Sequence, residues 1–314
     1  MLATVALACA AAAGATVGLT ALSRVSEDAA APQRRACPSG PPLELDLGVR
    51  ADREARSLRR AAAIYARGER AAAHRTFERY ASLEARVGAA ISLWPNGTLV
   101  VLRRLAAEHE GSGLVQLHLG VARFCAGERR SAETAWRAAE RLDPDSAYAV
   151  RAGDFLHPEL APGLPGFVLE FRAPSELAGL SPAGQLAALA ARARRDGFRG
   201  KLLYGAALQR LGRPVSARRQ FDAAARLAPG DPEAQVAAAV GRFDKDDPSA
   251  AFGRLGPLTR RFPRAATVRF HLGLLLLWIG RAEQGREQLE RARQLEPRSP
   301  LAKEAGRFLA RLGG

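Results

Sequence analysis

The sequence predicts an all-α fold of stacked helical hairpins in two blocks, preceded by an N-terminal hydrophobic helix. Three observations carry that expectation. Pro229, Pro263 and Pro297 stand 34 residues apart. Aligning the chain on them superimposes small, aromatic and apolar residues at fixed offsets, the mark of a solenoid whose units seal one another's apolar faces. Alternating β-branched runs are confined to short stretches such as Thr98-Leu99-Val100-Val101, so nothing signals a sheet.

The elements follow in order. Met1 to Ser23 carries no charged side chain and is rich in Ala, Val and Leu, so residues 1–24 read as a membrane anchor or a signal segment. An anchor is favoured on length, since a bilayer helix needs roughly 20 residues. A cleaved signal is the alternative, although Pro32 would follow the small residues Ala29-Ala30-Ala31 and no basic residue precedes the segment. The expectation is a chain held at a bacterial membrane by one N-terminal segment, its side open and a secreted form the other possibility. Residues 25–50, rich in Pro and Ala, read as a flexible tether.

Residues 51–151 form the first helical-repeat block. Glu54 to Val87 fits the frame weakly, Gly88 to Ser112 reads as an irregular helical pair broken at Pro95-Asn96-Gly97, and Gly113 to Ser146 fits well. Residues 152–184 contain Pro158, Pro162, Pro165, Pro174 and Pro182, a density that excludes a long helix. The apolar cluster of this Pro-rich connector, Leu164, Phe167, Val168, Leu169 and Phe171, favours an extended segment packed on the solenoid over a mobile loop.

Residues 185–314 form the second block, with windows Phe198 to Asp231, Pro232 to Ala265 and Ala266 to Ser299. Asp231-Pro232, Asp247-Pro248 and Ser299-Pro300 each place a side-chain oxygen before a proline, as at a helix start. Ser299 to Leu312 carries Ala302, Ala305, Phe308, Leu309 and Leu312 on one stripe, as a terminal capping helix should.

Within the four good windows the eighth place holds Gly120, Gly205, Ala239 and Gly273, and the twentieth holds Ala132, Ala217, Ala251 and Gly285. Large residues, Trp136, Phe221, Leu255 and Leu289, take the twenty-fourth. Gly127, Gly212 and Gly280 mark the turn, and Asp246 replaces them in the third window, inside Asp244-Lys245-Asp246-Asp247. This signature resembles the tetratricopeptide repeat (TPR) family. The resemblance implies a non-enzymatic, protein-binding scaffold with a concave inner face lined by the second, fifth, ninth and twelfth places of each first helix.

Those places hold Leu114, Leu117, Val121 and Phe124; Arg199, Leu202, Ala206 and Gln209; Glu233, Val236, Val240 and Phe243; and Thr267, Phe270, Leu274 and Leu277. The partner-binding groove is therefore expected at Leu114, Leu117, Val121, Phe124, Arg199, Leu202, Val236, Val240, Phe243, Phe270, Leu274 and Leu277. So apolar a lining suits a partner's amphipathic helix or extended peptide, unless the connector or a neighbouring helix already covers it. No carboxylate-clamping Lys and Asn pattern is present, so capture of a peptide C-terminus is not implied.

Charge supports a different reading. From Gln185 onward 25 basic residues face 12 acidic ones, against 22 and 20 before it. Arg192, Arg194, Arg195, Arg199 and Lys201 cluster at the second block's entrance, and Arg260, Arg261, Arg264 and Arg269 at a turn between repeats. The alternative function is thus an electrostatic binder of an anionic membrane surface or nucleic acid. Basic residues without interleaved aromatics or a reading motif argue against nucleic acid. Arg supplies 44 of the 47 basic residues, which suits a compositional bias on solvated helix faces.

No chemistry of catalysis is legible. His74, His109, His118, His157 and His271 show no metal-ligand spacing, no glycine-rich phosphate loop opens a helix, and no cofactor is implied. His118 and His271 share the sixth repeat place, which reads as a helix-packing position. Cys9, Cys37 and Cys125 form no CxxC motif. Cys37 and Cys125 read as a tether thiol and a small buried hydrophobe, pairing only if the domain is exported.

Overall fold

The computed structural model describes residue 37 and residues 40–312. Among them are fifteen α-helices and no strand. They divide into two compact units, one ending at Leu156 and one beginning at His157.

The N-terminal unit holds α1 (Arg53–Ala66), α2 (Arg70–Phe77), α3 (Leu83–Ser92), α4 (Thr98–Glu108), α5 (Gly113–Cys125), α6 (Arg129–Leu142) and α7 (Ala147–Leu156). The C-terminal unit holds α8 (Pro182–Arg195), α9 (Gly197–Arg210), α10 (Pro214–Leu227), α11 (Pro232–Val240), α12 (Ser249–Arg261), α13 (Ala266–Trp278), α14 (Ala282–Leu295) and α15 (Pro300–Leu312). In all four good windows the second helix ends at the thirtieth place: Leu142, Leu227, Arg261 and Leu295. The register does not drift. The irregular pair is α3 and α4, separated at residues 93–97, with α3 starting at Leu83 inside the weak window.

The small-to-large signature is a direct contact. A Cβ added to Gly120 would lie 2.4 Å from the Trp136 indole nitrogen, one on Gly205 2.5 Å from the Phe221 ring, and one on Gly273 2.9 Å from Leu289. The eighth place is small because the twenty-fourth lies on it, and that large residue is sealed from water, Trp136 at 3% exposure and Phe221 and Leu289 at 0%. Gly127, Gly212 and Gly280 take φ of 84°, 68° and 75°, the left-handed turn that the polypeptide makes between paired helices.

Helix starts follow the local chemistry in two of three places. The Asp231 carboxylate accepts from the Ala234 N–H at 2.8 Å, and Ser299 Oγ accepts from the Ala302 N–H at 3.0 Å. At Asp247-Pro248 the expectation fails: α12 starts at Ser249 with Pro248 as N-cap, and the Asp247 carboxylate instead accepts from the Ser249 hydroxyl. The capping helix α15 buries Leu301, Ala305 and Leu309 in one cluster with Phe270, Leu274 and Leu277 of α13.

The membrane-anchored localisation is corrected. Among the described residues no helix is long and apolar enough to cross a membrane. The N-terminal hydrophobic helix assigned to 1–24 lies outside the described residues, as does Cys9.

Candidate functional site

Each unit carries an inner face lined by first helices of its hairpins, and in each the chain itself lies along that face. In the N-terminal unit the occupant is the stretch from Gly40 to Leu47, which composition alone reads as tether. Tyr65 Oη donates to the Pro41 carbonyl at 2.6 Å, the Glu44 N–H donates to His118 Nε2 at 3.0 Å, and the Asp46 N–H donates to Tyr148 Oη at 3.0 Å. Leu47 is buried in one cluster with Leu114, Leu117 and Val121, and Leu43, Leu45 and Phe124 pack against it. The Glu44 carboxylate pairs with Arg151 at 2.8 Å. Cys37 and Cys125 form a disulfide across 88 residues, with their Cα atoms 5.5 Å apart, so the reading of two independent thiols is corrected.

In the C-terminal unit the occupant is the Pro-rich connector, irregular from His157 to Ser181 apart from one turn at Ser175–Leu177. It enters at the one turn that departs from the repeat pattern. His157 Nε2 meets the Asp246 carboxylate at 2.9 Å, and buried Lys245 donates from Nζ to the Ala161 carbonyl at 2.9 Å. The Asp-Lys-Asp-Asp sequence replaces the turn glycine because it grips the connector. The Ala161 N–H donates to the Trp278 carbonyl at 3.0 Å, and Trp278 Nε1 donates to the Gly163 carbonyl at 3.3 Å.

Further on, the Phe167 N–H donates to Gln209 Oε1 at 2.8 Å, the Val168 N–H to His271 Nε2 at 2.9 Å, and the Glu170 N–H to Glu233 Oε1 at 2.6 Å. Phe167 is 3% exposed, stacked on His271 at 4.9 Å between centroids and edge-on to Phe221 at 5.3 Å. The connector is therefore the buried extended segment expected.

The residues of the expected groove are placed as follows. Leu202, Val236, Val240 and Phe243 share a core with Phe167, and Val168 packs on the core of Phe270, Leu274 and Leu277. Arg199 is exposed, with its guanidinium 5.4 Å from the Phe171 ring centroid. Phe270 and Leu274, at 0% and 2% exposure, are interior residues, so an Asp at either would unfold the unit rather than report on partner capture.

The two recurrent histidines are buried at 0% exposure, as a packing position implies, and each also accepts an N–H from the strap beside it. His118 Nδ1 donates to the Leu114 carbonyl and His271 Nδ1 to the Thr267 carbonyl, each at 2.8 Å. A carbonyl can only accept and an amide N–H only donate, so each ring is held neutral with its Nε2 lone pair turned to the threaded backbone. Burial pulls both imidazoles down to about 4. Two residues beyond the His271 contact, the Glu170 N–H meets the Glu233 carboxyl, and the Glu170 carboxyl meets the Thr267 N–H. Burial first pushes both carboxyls up to about 7, helped by the Glu296 and Asp231 charges at Glu170 and by the Glu170 and Asp231 charges at Glu233. Gln209 and Glu233 were marked by spacing alone. Tyr65 stands at the twelfth place of the weak window, and Tyr148 lies outside the four good windows.

Outside the groove of the C-terminal unit, Asp222, Arg226, Gln235, Arg242 and Arg254 line an open cleft of about 250 Å3, across which Arg242 pairs with Asp222 at 3.1 Å. No group of three His, Cys, Asp or Glu is placed to hold a metal ion among the described residues.

No family model matches the sequence, and no curated protein matches it. Several solved tetratricopeptide structures are similar. YrrB, described as a TPR protein with an unusual peptide-binding site, is 18% identical over 66% of this chain and 97% of its own, with a TM-score of 0.30. A tetratricopeptide repeat protein from Parabacteroides merdae is 10% identical over 83% of this chain and 99% of its own, at 0.34. Yeast Tom70 is 13% identical over 95% of this chain and 57% of its own, at 0.36. The chain resembles the tetratricopeptide family, and the 34-residue register with its eighth-to-twenty-fourth packing carries that resemblance.

Proposed function

We propose that this protein is a non-enzymatic protein-interaction scaffold whose C-terminal groove receives an extended peptide from a partner. One observation carries the reading: the groove already holds a peptide. Gln209, His271 and Glu233 accept three main-chain N–H groups from the connector, and a pocket takes Phe167. Main-chain bonds supply affinity for any extended chain, and the pocket supplies selection. The sites Leu202, Val236, Val240, Phe243, Phe270, Leu274 and Leu277 act as the floor beneath that peptide. Leu114, Leu117, Val121 and Phe124 do the same in the N-terminal unit.

The electrostatic alternative loses support where its cations are already engaged. Arg192 pairs with Glu176 and Asp196, Lys201 donates to the Ala193 carbonyl, Arg261 to the Pro229 carbonyl and Arg269 to Gln288.

A random displayed-peptide library panned on the full, oxidised chain carrying Val168→Pro, which removes the strap N–H that His271 accepts, tests the reading. Binders that weaken on Gln209→Ala, which removes the side-chain acceptor offered to an extended backbone, support it. Binders indifferent to that change, or none, overturn it.

A further inference from the structure

The two straps share a sequence pattern. Each contains one N–H bound by a sixth-place imidazole, that of Glu44 on His118 and that of Val168 on His271. Aligning the chain on these two residues sets Pro41 over Pro165, Leu43 over Phe167, Leu45 over Leu169, Asp46 over Glu170 and Leu47 over Phe171. The match extends to environment. Pro41 and Pro165 are both buried, and their followers Pro42 and Gly166 are both exposed. Two residues beyond the imidazole contact a second N–H is bound in each, Asp46 to Tyr148 and Glu170 to Glu233. In extended chain, residues two apart repeat the same orientation, so the N–H groups of Glu44 and Asp46, or of Val168 and Glu170, share one edge while Leu43, Leu45 and Leu47, or Phe167, Leu169 and Phe171, meet the core, and the Phe167 N–H is bound by Gln209 on the other edge.

We infer that the C-terminal groove is a receptor for an extended partner peptide of the pattern Pro-x-(Leu/Phe)-x-Leu-(Asp/Glu)-(Leu/Phe), and that residues 163–171 are a built-in occupant which that peptide displaces. The inference rests on the scaffold reading and names the partner's chemistry. Two grooves in one chain, filled by two stretches unrelated in position yet alike at five apolar, acidic and proline places, define what such a groove selects. The acidic place has a local reason: Glu170 Oε1 accepts the Thr267 N–H at 3.1 Å in the first turn of α13, whose N-cap residue Ala265 offers no side-chain acceptor. The two occupants differ in how they are fastened. The N-terminal strap is tied at its start through Cys37–Cys125, whereas the C-terminal strap is held by noncovalent contacts and is followed by the exposed residues Arg172, Ala173, Ser175 and Glu176.

The probe is a fluorescein-labelled peptide of the sequence Pro162 to Arg172, titrated into the full oxidised chain. A tethered occupant competes at an effective concentration of about a millimolar, so the wild type should bind the probe weakly. Val168→Pro removes the N–H that His271 accepts while keeping an extended backbone, and should raise probe affinity at least tenfold. Adding Gln209→Ala should reverse most of that gain, and a probe with proline in place of its own valine should not bind. Equal or absent binding by wild type and folded Val168→Pro overturns the inference.

Should Val168→Pro unfold, as judged by circular dichroism, a protease site inserted between Ala173 and Ser175 replaces it. After cleavage the probe should exchange into the groove, and a cleaved chain that retains its strap and refuses the probe overturns the inference. A dimer formed by exchanging straps between copies also overturns it. If the random library yields groove-dependent binders without the pattern, the pattern falls and the scaffold stands.

Discussion

Single residues decide how closely helices pack. Gly205→Ala would set a Cβ 2.5 Å from the Phe221 ring, so the ring or the helix must move, at a cost of about 1–3 kcal/mol. Gly253, in the middle of α12, has nothing within 4 Å of such a Cβ, so Gly253→Ala should stabilise by about 0.5–1 kcal/mol. Urea midpoints at unchanged slope measure both, and equal effects would refute the packing account. Trp136→Ala removes a residue 3% exposed and should destabilise by about 3–5 kcal/mol by the same assay. These residues were legible in the sequence because the packing they serve repeats. His118 and His271 were only half legible: their recurrence at the sixth place was plain, but the lone pair each offers became visible only with the strap opposite it.

At the scale of elements, helix boundaries were readable because a 34-residue period is enforced by every neighbour in the stack. The straps were not, since an extended segment has no period and its partners lie 24 to 115 residues away. A solvated Pro-rich tether and a packed strap would look alike in composition. Asp246, which breaks the turn pattern, was the usable clue, because a departure from a repeat needs a local cause.

The two straps should respond differently to pH. His118 and His271 fall to about 4 on folding, so their contribution is complete above the ordinary imidazole value and is lost as pH drops toward 4. Glu170 and Glu233 rise from about 4.5 to about 7, so theirs is complete below 4.5 and is lost as pH climbs through 7. Glu296 and Asp231 reinforce that loss, and Arg199 opposes it for Glu233. Amide exchange corrected for intrinsic rate should show Glu44 losing protection in acid only, and Val168 losing it on both sides. A flat Val168 profile between pH 5 and 8 would contradict the carboxyl pair's role.

For the molecule as a whole, the Cys37–Cys125 disulfide ties stability to redox conditions, because such bonds persist where the surroundings are oxidising. Closing 88 residues lowers the entropy of the unfolded chain, worth about 4–5 kcal/mol. Dithiothreitol should shift the unfolding of the N-terminal unit by that amount and leave the transition of the C-terminal unit unchanged. A common shift in both would mean the units do not unfold separately. The pairing itself was not legible, since 88 residues of separation say nothing of proximity until the repeats are folded.

Each strap precedes, in the order of translation, the helices that come to hold it. As the polypeptide leaves the ribosome, residues 40–47 are already waiting when α5 emerges, and residues 163–171 when α13 does. Neither trough is ever finished while empty, so the nascent protein never presents a completed oily furrow to its neighbours, and shielding against premature association is written into chain order.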